Sequence, residues 1–190
     1  MAEGHGARTE GKDTVSKGYY SHAEGLEAKA LGHRTHAEGH GTTAGEEDRK
    51  EDTDGAHAEG RYTKAFGAGA HAEGEYSEAR GYGSHAEGRV FLKDGDPVPS
   101  TSVGAGSHAE GGGTIANGLD SHSEGRGTES VGDCSHAEGV RTDSNGVAAH
   151  AEGSWTHANG NYSHAEGNMG TAGHVGAHVE GYGTGSTNDY

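Results

Sequence analysis

The sequence predicts an all-β fold, a parallel β-roll (solenoid) built from 14-residue coils, and three observations lead to it. The tetrapeptide His-Ala-Glu-Gly recurs along the chain, and from His108 to His178 each copy, including the variants HSEG and HVEG, follows the last by 14 residues. A weaker copy with the same small residues lies midway between successive copies, so the repeat is a pair of heptads. Each heptad reads small-x-small-x-Gly-x-x, and alternation with period two is typical of a strand rather than a helix.

The small positions of each heptad are expected to form the interior. The first is Ser, Thr or Ala, as at Ser21 and Thr35, and the second is nearly always Ala, as at Ala23 and Ala37. Two five-residue strands joined by two-residue corners enclose little volume, so only residues of this size fit between them, and buried hydroxyls can bond the backbone. We expect about thirteen coils stacked in parallel and in register, which gives a rod on the order of 60 Å long.

Composition excludes several other classes of protein. The 190 residues include 38 Gly, only 28% hydrophobic residues and 6% aromatic residues, which is too little for an ordinary globular core. Gly-X-Y spacing is absent and there are two prolines, so the chain is not collagen. The net charge of −16 disfavours nucleic acid and anionic membranes as partners, and no apolar run predicts membrane insertion. The single cysteine, Cys134, excludes an internal disulfide framework and is interpreted as a corner residue.

Residues 1–190 are predicted to form a single β-roll domain with two insertions. The Ala2-Glu3-Gly4 segment already fits the repeat register, so no secretory signal is predicted. The spacing widens to 21 residues between His36 and His57 and to 23 between His85 and His108. These intervals place insertions near residues 46–54 and 89–99, which we expect to project outward from the side opposite the His-Ala-Glu-Gly strands. The second is predicted to be a hairpin with Asp94-Gly95 at its tip.

The two outward faces of the roll differ in sequence. Face A, the outward side of the His-Ala-Glu-Gly strands, presents His and then Glu in every coil, whereas face B, the outward side of the alternate strands, is heterogeneous. Because a face in a repeating environment must repeat its residues, face A is predicted to be covered by neighbouring subunits. The predicted ladder consists of His22, Glu24, His36, Glu38, His57, Glu59, His71, Glu73, His85, Glu87, His108, Glu110, His122, Glu124, His136, Glu138, His150, Glu152, His164, Glu166, His178 and Glu180.

The paired small-x-Ala-x-Gly-x-x heptads resemble the YadA-like head repeat of trimeric autotransporter adhesins over residues 2 to about 186. They are also similar to the SHAEG-rich repeats of some phage tail fibres and tail spikes. The resemblance implies a left-handed β-roll, a homotrimer formed through one face, and an extracellular location on a bacterial cell surface or a virion tail. This chain departs from the adhesin pattern because His and Glu stand where the adhesin head has Val and Ile.

The function predicted from these features is that of a non-enzymatic structural or adhesive fibrous module that needs no cofactor. Eleven equivalent His–Glu pairs cannot all be active sites, and neighbours such as Ser21 and His22 point to opposite faces of a strand. Ice binding is disfavoured because Thr lies mostly at inward positions.

Two interpretations of the ladder stay open from the sequence. In the structural one, His donates to Glu of the same or a neighbouring chain, and the carboxylates raise the pKa of the imidazoles while burial lowers it. In the other, the ladder binds divalent metal ions, although ions in every layer, about 4.8 Å apart, would repel one another.

A carbohydrate-binding role, acting through face B or the 89–99 insertion, is a further alternative. Its partner would be a host-surface glycan or a matrix protein. Five aromatic residues are candidates for sugar stacking, and they can equally cap the corners of the coils. These residues are Tyr62, Tyr76, Tyr82, Trp155 and Tyr162.

Overall fold

The computed structural model describes residues 1–49, 52–93 and 95–186. It shows an all-β solenoid of about 12 turns with about 14 residues per turn, which confirms the predicted fold class. The count is lower than the thirteen coils expected, because the inserted residues lengthen two turns without adding another. The roll consists of two parallel sheets, of 12 and 11 strands, and a separate two-stranded hairpin.

The 12-stranded sheet carries face A, and most of its strands have five residues. They are β1 (Arg8–Lys12), β3 (His22–Leu26), β5 (His36–His40), β7 (His57–Arg61), β9 (His71–Gly74), β11 (His85–Arg89), β15 (His108–Gly112), β17 (His122–Arg126), β19 (His136–Val140), β21 (His150–Ser154), β23 (His164–Asn168) and β25 (His178–Tyr182).

The 11-stranded sheet carries face B, and its strands have two residues each. They are β2 (Val15–Ser16), β4 (Lys29–Ala30), β6 (Thr43–Ala44), β8 (Lys64–Ala65), β10 (Glu78–Ala79), β14 (Thr101–Ser102), β16 (Ile115–Ala116), β18 (Glu129–Ser130), β20 (Asp143–Ser144), β22 (His157–Ala158) and β24 (Thr171–Ala172). The expectation of five-residue strands on both faces is therefore wrong for face B. Its strands end early because the backbone turns at the glycine, as where Ser121 N donates to Gly118 O at 3.3 Å.

Every strand pairs in register with its counterpart in the next turn. Residues 14 apart are partners, as His122 is of His136 and Glu124 of Glu138. The register also passes both insertions unchanged, because β5 pairs with β7 and β11 with β15. From β3 to β25, each outward His of face A therefore stacks on a His and each outward Glu on a Glu.

The interior consists of small residues, as predicted. The second small position is fully buried at alanines such as Ala137, and the first is occupied by equally buried Ser and Thr. Many of these hydroxyls close the corners by donating to a carbonyl just before them: Ser121 Oγ to Gly118 O at 2.8 Å and Thr128 Oγ1 to Glu124 O at 3.2 Å. The narrow roll thus replaces apolar bulk with close packing and hydrogen bonds.

Glycine is required at the repeated positions because the backbone of the next turn lies too close for a side chain. In face A, Gly139 has a φ of 115°, and a Cβ there would lie 2.1 Å from the Gly153 carbonyl oxygen. In face B, a Cβ on Gly146 would lie 2.0 Å from the Gly160 carbonyl oxygen. Neither row can hold a side chain without moving the backbone of the adjacent turn.

Corners are sharp because their second residue adopts the left-handed conformation. Glycine holds this position at many corners, but Tyr62, Cys134 and Trp155 hold it at others, with φ values of 56°, 55° and 57°. Such a conformation costs a non-glycine residue roughly 1–2 kcal/mol. The corner position interpreted for Cys134 is confirmed, and its side chain is exposed.

The two insertions lie at opposite edges of the roll. The first follows strand β6 of face B and includes a 3-10 helix, η1 (Glu47–Arg49). The second follows β11 of face A and forms an antiparallel hairpin of β12 (Phe91–Lys93) and β13 (Asp96–Val98). The expectation that both project from face B is therefore wrong for the hairpin. Lys50 and Glu51 of the first insertion, and Asp94 of the predicted hairpin tip, lie outside the described residues.

Candidate functional site

The predicted ladder residues all lie at outward positions of face A, from His22 and Glu24 to His178 and Glu180. Within each strand, His and Glu flank a buried Ala, Ser or Val, so the period-two pattern places both side chains on the same side. Most of these side chains are half-buried even in a single chain. In β1, Arg8 replaces His, and its guanidinium donates to Glu10 Oε1 at 2.6 Å.

The ladder imidazoles form one continuous stack. From His22 to His178, consecutive ring centroids are 4.7–4.9 Å apart and consecutive ring planes differ by 1–10°. The spacing is that of adjacent strands, because in-register pairing with a shared rotamer repeats each ring at the strand separation. Because the ring faces contact one another, each histidine has only its ring edge, which includes Nε2, for polar contacts.

In seven rungs, the Nε2 atom approaches the glutamate two residues later in its own strand. The Nε2–Oε2 distance is 3.5 Å between His164 and Glu166 and reaches 3.7 Å in several other rungs. Such distances exceed those of a hydrogen bond. The prediction that His donates to Glu is therefore wrong within one chain, and pairing with a neighbouring chain stays a prediction.

Ten ladder histidines have a buried Nε2 atom that makes no hydrogen bond within the described residues. They are His22, His36, His57, His71, His85, His108, His122, His136, His150 and His164. Buried polar atoms in folded proteins nearly always have a partner, and leaving one unpaired costs about 1–3 kcal/mol. These atoms form a row along face A, and their hydrogen-bonding capacity is unused within the described residues.

Burial lowers the pKa of the central imidazoles. Desolvation, followed by the charge of adjacent histidines, shifts the pKa of His57, His85, His108 and His136 below the ordinary value of 6.5. The nearby glutamates oppose this shift but do not overcome it. Of the two opposing influences expected from the sequence, burial therefore outweighs the carboxylates at these four positions.

The ladder also brings potential metal ligands together. His22, Glu24 and His36 offer one donor atom each within 4.8 Å of one another, and His57, Glu59 and His71 do the same. Face B has no comparable row among the described residues, although His157 Nδ1 lies 3.0 Å from Asp143 Oδ2. Donor groups recur at every turn only on face A.

The aromatic residues cap corners and are divided between the two edges. Tyr62, Tyr76 and Trp155 follow face A strands, whereas Tyr82 and Tyr162 follow face B strands. The corner prediction is confirmed, and a single patch uniting all five is excluded by this arrangement. Tyr62 and Tyr76 stack at 5.1 Å, and the guanidinium of Arg61 lies within 6 Å of both rings.

The hairpin is anchored along the edge that follows face A. Phe91 packs against Gly113 and Gly127, and the guanidinium carbons of Arg126 and Arg141 lie 5.3 and 5.9 Å from the centre of its ring. Sequence reasoning missed this anchor. The signal was the double glycine at Gly112-Gly113, a corner without side chains on the same edge one turn after the insertion.

No protein-family model matches the chain, and none of the curated proteins compared with it matches either. Among the described residues, no helix has the length and apolarity needed to cross a bilayer. The fold and the ladder define the molecule as a β-solenoid with one chemically repetitive face.

Proposed function

We propose that the chain is a non-enzymatic structural module whose copies associate through face A. In this proposal it forms a left-handed homotrimer that serves as the head or shaft of a bacterial surface adhesin or a phage tail fibre. Its role is mechanical: a stiff rod that displays the hairpin and the first insertion at its edges. The handedness, the trimer and the extracellular location follow from the resemblance to the YadA-like head repeat.

The continuity of face A is the observation that carries this proposal. The 12-stranded sheet continues in register past both insertions, and its His–Glu rows repeat at every turn from β3 to β25. The insertions leave from the edges, so neither blocks a flat approach to this face. The His and Glu side chains of the rungs keep about 29–46% of their surface exposed in the single chain, and a second copy would cover this surface.

A linear array of equivalent pairs favours association over catalysis. A subunit interface uses the same contact many times, whereas an active site needs one arrangement that differs from its surroundings. Polar ladders of this kind set register and partner choice more than they add net stability. We therefore expect the rungs to align copies turn by turn.

Light scattering of the purified protein tests the proposal, with a mass of three chains as the expected result. The variant His136→Asp, His150→Asp, His164→Asp places carboxylates on three consecutive rungs and should reduce the mass to that of one chain. Circular dichroism of the same sample establishes that the β-solenoid is retained.

The matched control carries the same three charges on face B: Ile115→Asp, His157→Asp, Thr171→Asp. Face B already pairs Glu129 with Asp143 in adjacent strands, so it tolerates neighbouring carboxylates. The control should keep the mass of the parent protein. A parent protein with the mass of a single chain, or equal dissociation of both variants, would overturn the proposal.

A further inference from the structure

The ladder combines an unpaired nitrogen and a carboxylate at the same separation in turn after turn. In seven rungs, the His Nε2 and the Glu Oε2 of the same strand lie 3.5–3.7 Å apart. This distance is too long for a hydrogen bond, yet it holds the two side chains with their donor atoms side by side. The nitrogen makes no hydrogen bond in any of these rungs.

The separation matches the bite of a metal chelate. Zinc binds His nitrogen at about 2.0–2.1 Å and carboxylate oxygen at about 2.0–2.2 Å, so two ligands at the tetrahedral angle lie about 3.4 Å apart. The observed pairs need a movement of only a few tenths of an ångström to reach it. By contrast, the centroids of consecutive imidazoles are 4.7–4.9 Å apart, too far for both rings to bind one tetrahedral ion.

We propose that the assembled ladder binds divalent transition-metal ions, each ion taking the His Nε2 and the Glu carboxylate of one rung of one copy and completing its four ligands from neighbouring copies. The inference rests on the proposed association, because one rung of one chain supplies two ligands and the others come from neighbouring copies. The metal class follows from the ligands. Imidazole with carboxylate suits Zn²⁺, Ni²⁺ and Cu²⁺, whereas Mg²⁺ prefers an all-oxygen site with octahedral geometry.

Repulsion between ions limits how many rungs are occupied. Two divalent ions in adjacent turns would be about 4.8 Å apart, and their repulsion is four times that of unit charges at this distance. We therefore expect ions in alternate rungs. With eleven His–Glu rungs in the chain, alternation allows at most six ions for each assembled set of chains.

Equilibrium dialysis against micromolar Zn²⁺, after removal of bound metal with EDTA, tests the inference on the full chain. We expect several zinc ions to bind each assembled set, up to the limit of six, and Mg²⁺ not to compete. The variant Glu138→Gln, Glu152→Gln, Glu166→Gln keeps every histidine and the shape of each side chain. Because it removes the second ligand from three adjacent rungs, alternate occupancy of the remaining eight rungs allows five ions instead of six, so bound zinc should fall by about a sixth.

The matched pair of variants removes three histidines in each case. His136→Ala, His150→Ala, His164→Ala should lower bound zinc by about the same fraction, since alternate occupancy spreads the ions along the ladder. His5→Ala, His33→Ala, His157→Ala removes three histidines outside the ladder and should leave bound zinc unchanged. Circular dichroism establishes that each variant is folded.

Light scattering of the same samples separates this inference from the proposed function. If the protein associates but binds no more zinc than a ladder variant, the metal site is wrong and the association stands. Equal losses of zinc in both histidine variants would also overturn the metal site, because binding would then follow histidine number rather than rung geometry. A protein that stays a single chain with and without zinc overturns both.

Discussion

Face A and face B are built on the same interior but differ in what they require of their outward residues. Both sheets stack in register, both contain buried Ala, Ser and Thr, and both have a glycine row that approaches the next turn. Face A repeats His and Glu, whereas the corresponding positions of face B hold Ile115, Glu129, Asp143 and His157 in four consecutive turns.

The difference shows that the solenoid itself does not need repeated outward residues. Face B stacks equally well with Ile beside Glu and Asp beside His, so the geometry of a turn places no demand on these positions. The repetition of face A is therefore not required by the fold of the single chain. This contrast supports the proposal that copies associate through face A.

Substitutions in the two glycine rows should have the largest effect on the free energy of unfolding. Gly139→Ala should lower the free energy of unfolding by roughly 3–5 kcal/mol, because the new Cβ would be both in a left-handed conformation and against the Gly153 carbonyl. Gly146→Ala in face B meets a similar contact without the left-handed strain, so roughly 1–3 kcal/mol is expected. Chemical denaturation measures both.

A corner glycine is the control for these two changes. Gly69 has a φ of 64° and open space around the position of a Cβ, so Gly69→Ala should cost only about 1 kcal/mol. Were it as damaging as Gly139→Ala, the close approach of successive turns would not be what excludes side chains from the sheets.

The stacking of turns could be predicted from the sequence because it depends on period and size alone. The 14-residue spacing fixed the register, and the small residues identified the interior. The positions of the insertions followed from the widened intervals between His36 and His57 and between His85 and His108. These features are local, since each depends on a residue and its counterpart one turn away.

Other features depend on three-dimensional detail that the repeat does not encode. The early end of the face B strands follows from a turn at glycines such as Gly118, whereas the glycines of face A lie within the paired strands. The direction of the His pKa shifts depends on whether desolvation or the carboxylates dominate. The edge from which the hairpin leaves depends on whether the inserted residues follow the face A strand or the face B strand of their turn, and the widened interval is compatible with both.

Acidification should weaken the solenoid through face A. The pKa of His57, His85, His108 and His136 is below the ordinary 6.5 in the folded chain, so protons bind more tightly to the unfolded chain. The stability is full above about pH 6.5 and is lost as the pH falls through that value toward the folded pKa. Thermal unfolding in EDTA-containing buffer should show a lower Tm at pH 5 than at pH 8.

The contribution of face A to this pH effect can be isolated by substitution. Replacing the four histidines with Asn keeps polar side chains there and should reduce the difference in Tm between pH 8 and pH 5. A difference as large as that of the parent protein would assign the effect to groups outside the ladder.

Substitutions in the hairpin test whether its local stability is independent of the stability of the two sheets. Phe91→Ala removes its ring from Gly113 and Gly127 and from two guanidinium groups, so the hairpin should loosen by about 1–2 kcal/mol. Hydrogen exchange should accelerate at the hairpin amides and stay unchanged in the strands of both faces. Leu92→Ala, at a side chain that is 62% exposed, should leave the exchange rates unaltered.

The smallest expected effect on stability is at the corners, where non-glycine residues carry the strain of a left-handed backbone conformation. Cys134 is exposed and has a φ of 55°, and glycine occupies the equivalent position at corners such as Gly106 and Gly176. Cys134→Gly should therefore stabilise the chain by about 0.5–1 kcal/mol, since relief of the left-handed strain exceeds the added entropy of the unfolded chain. Denaturation under reducing conditions measures the gain, and Cys134→Ser, which keeps a Cβ, should show none. Equal stability of the two variants would mean that the strain at this corner is already relieved by its backbone hydrogen bond to Leu119 O.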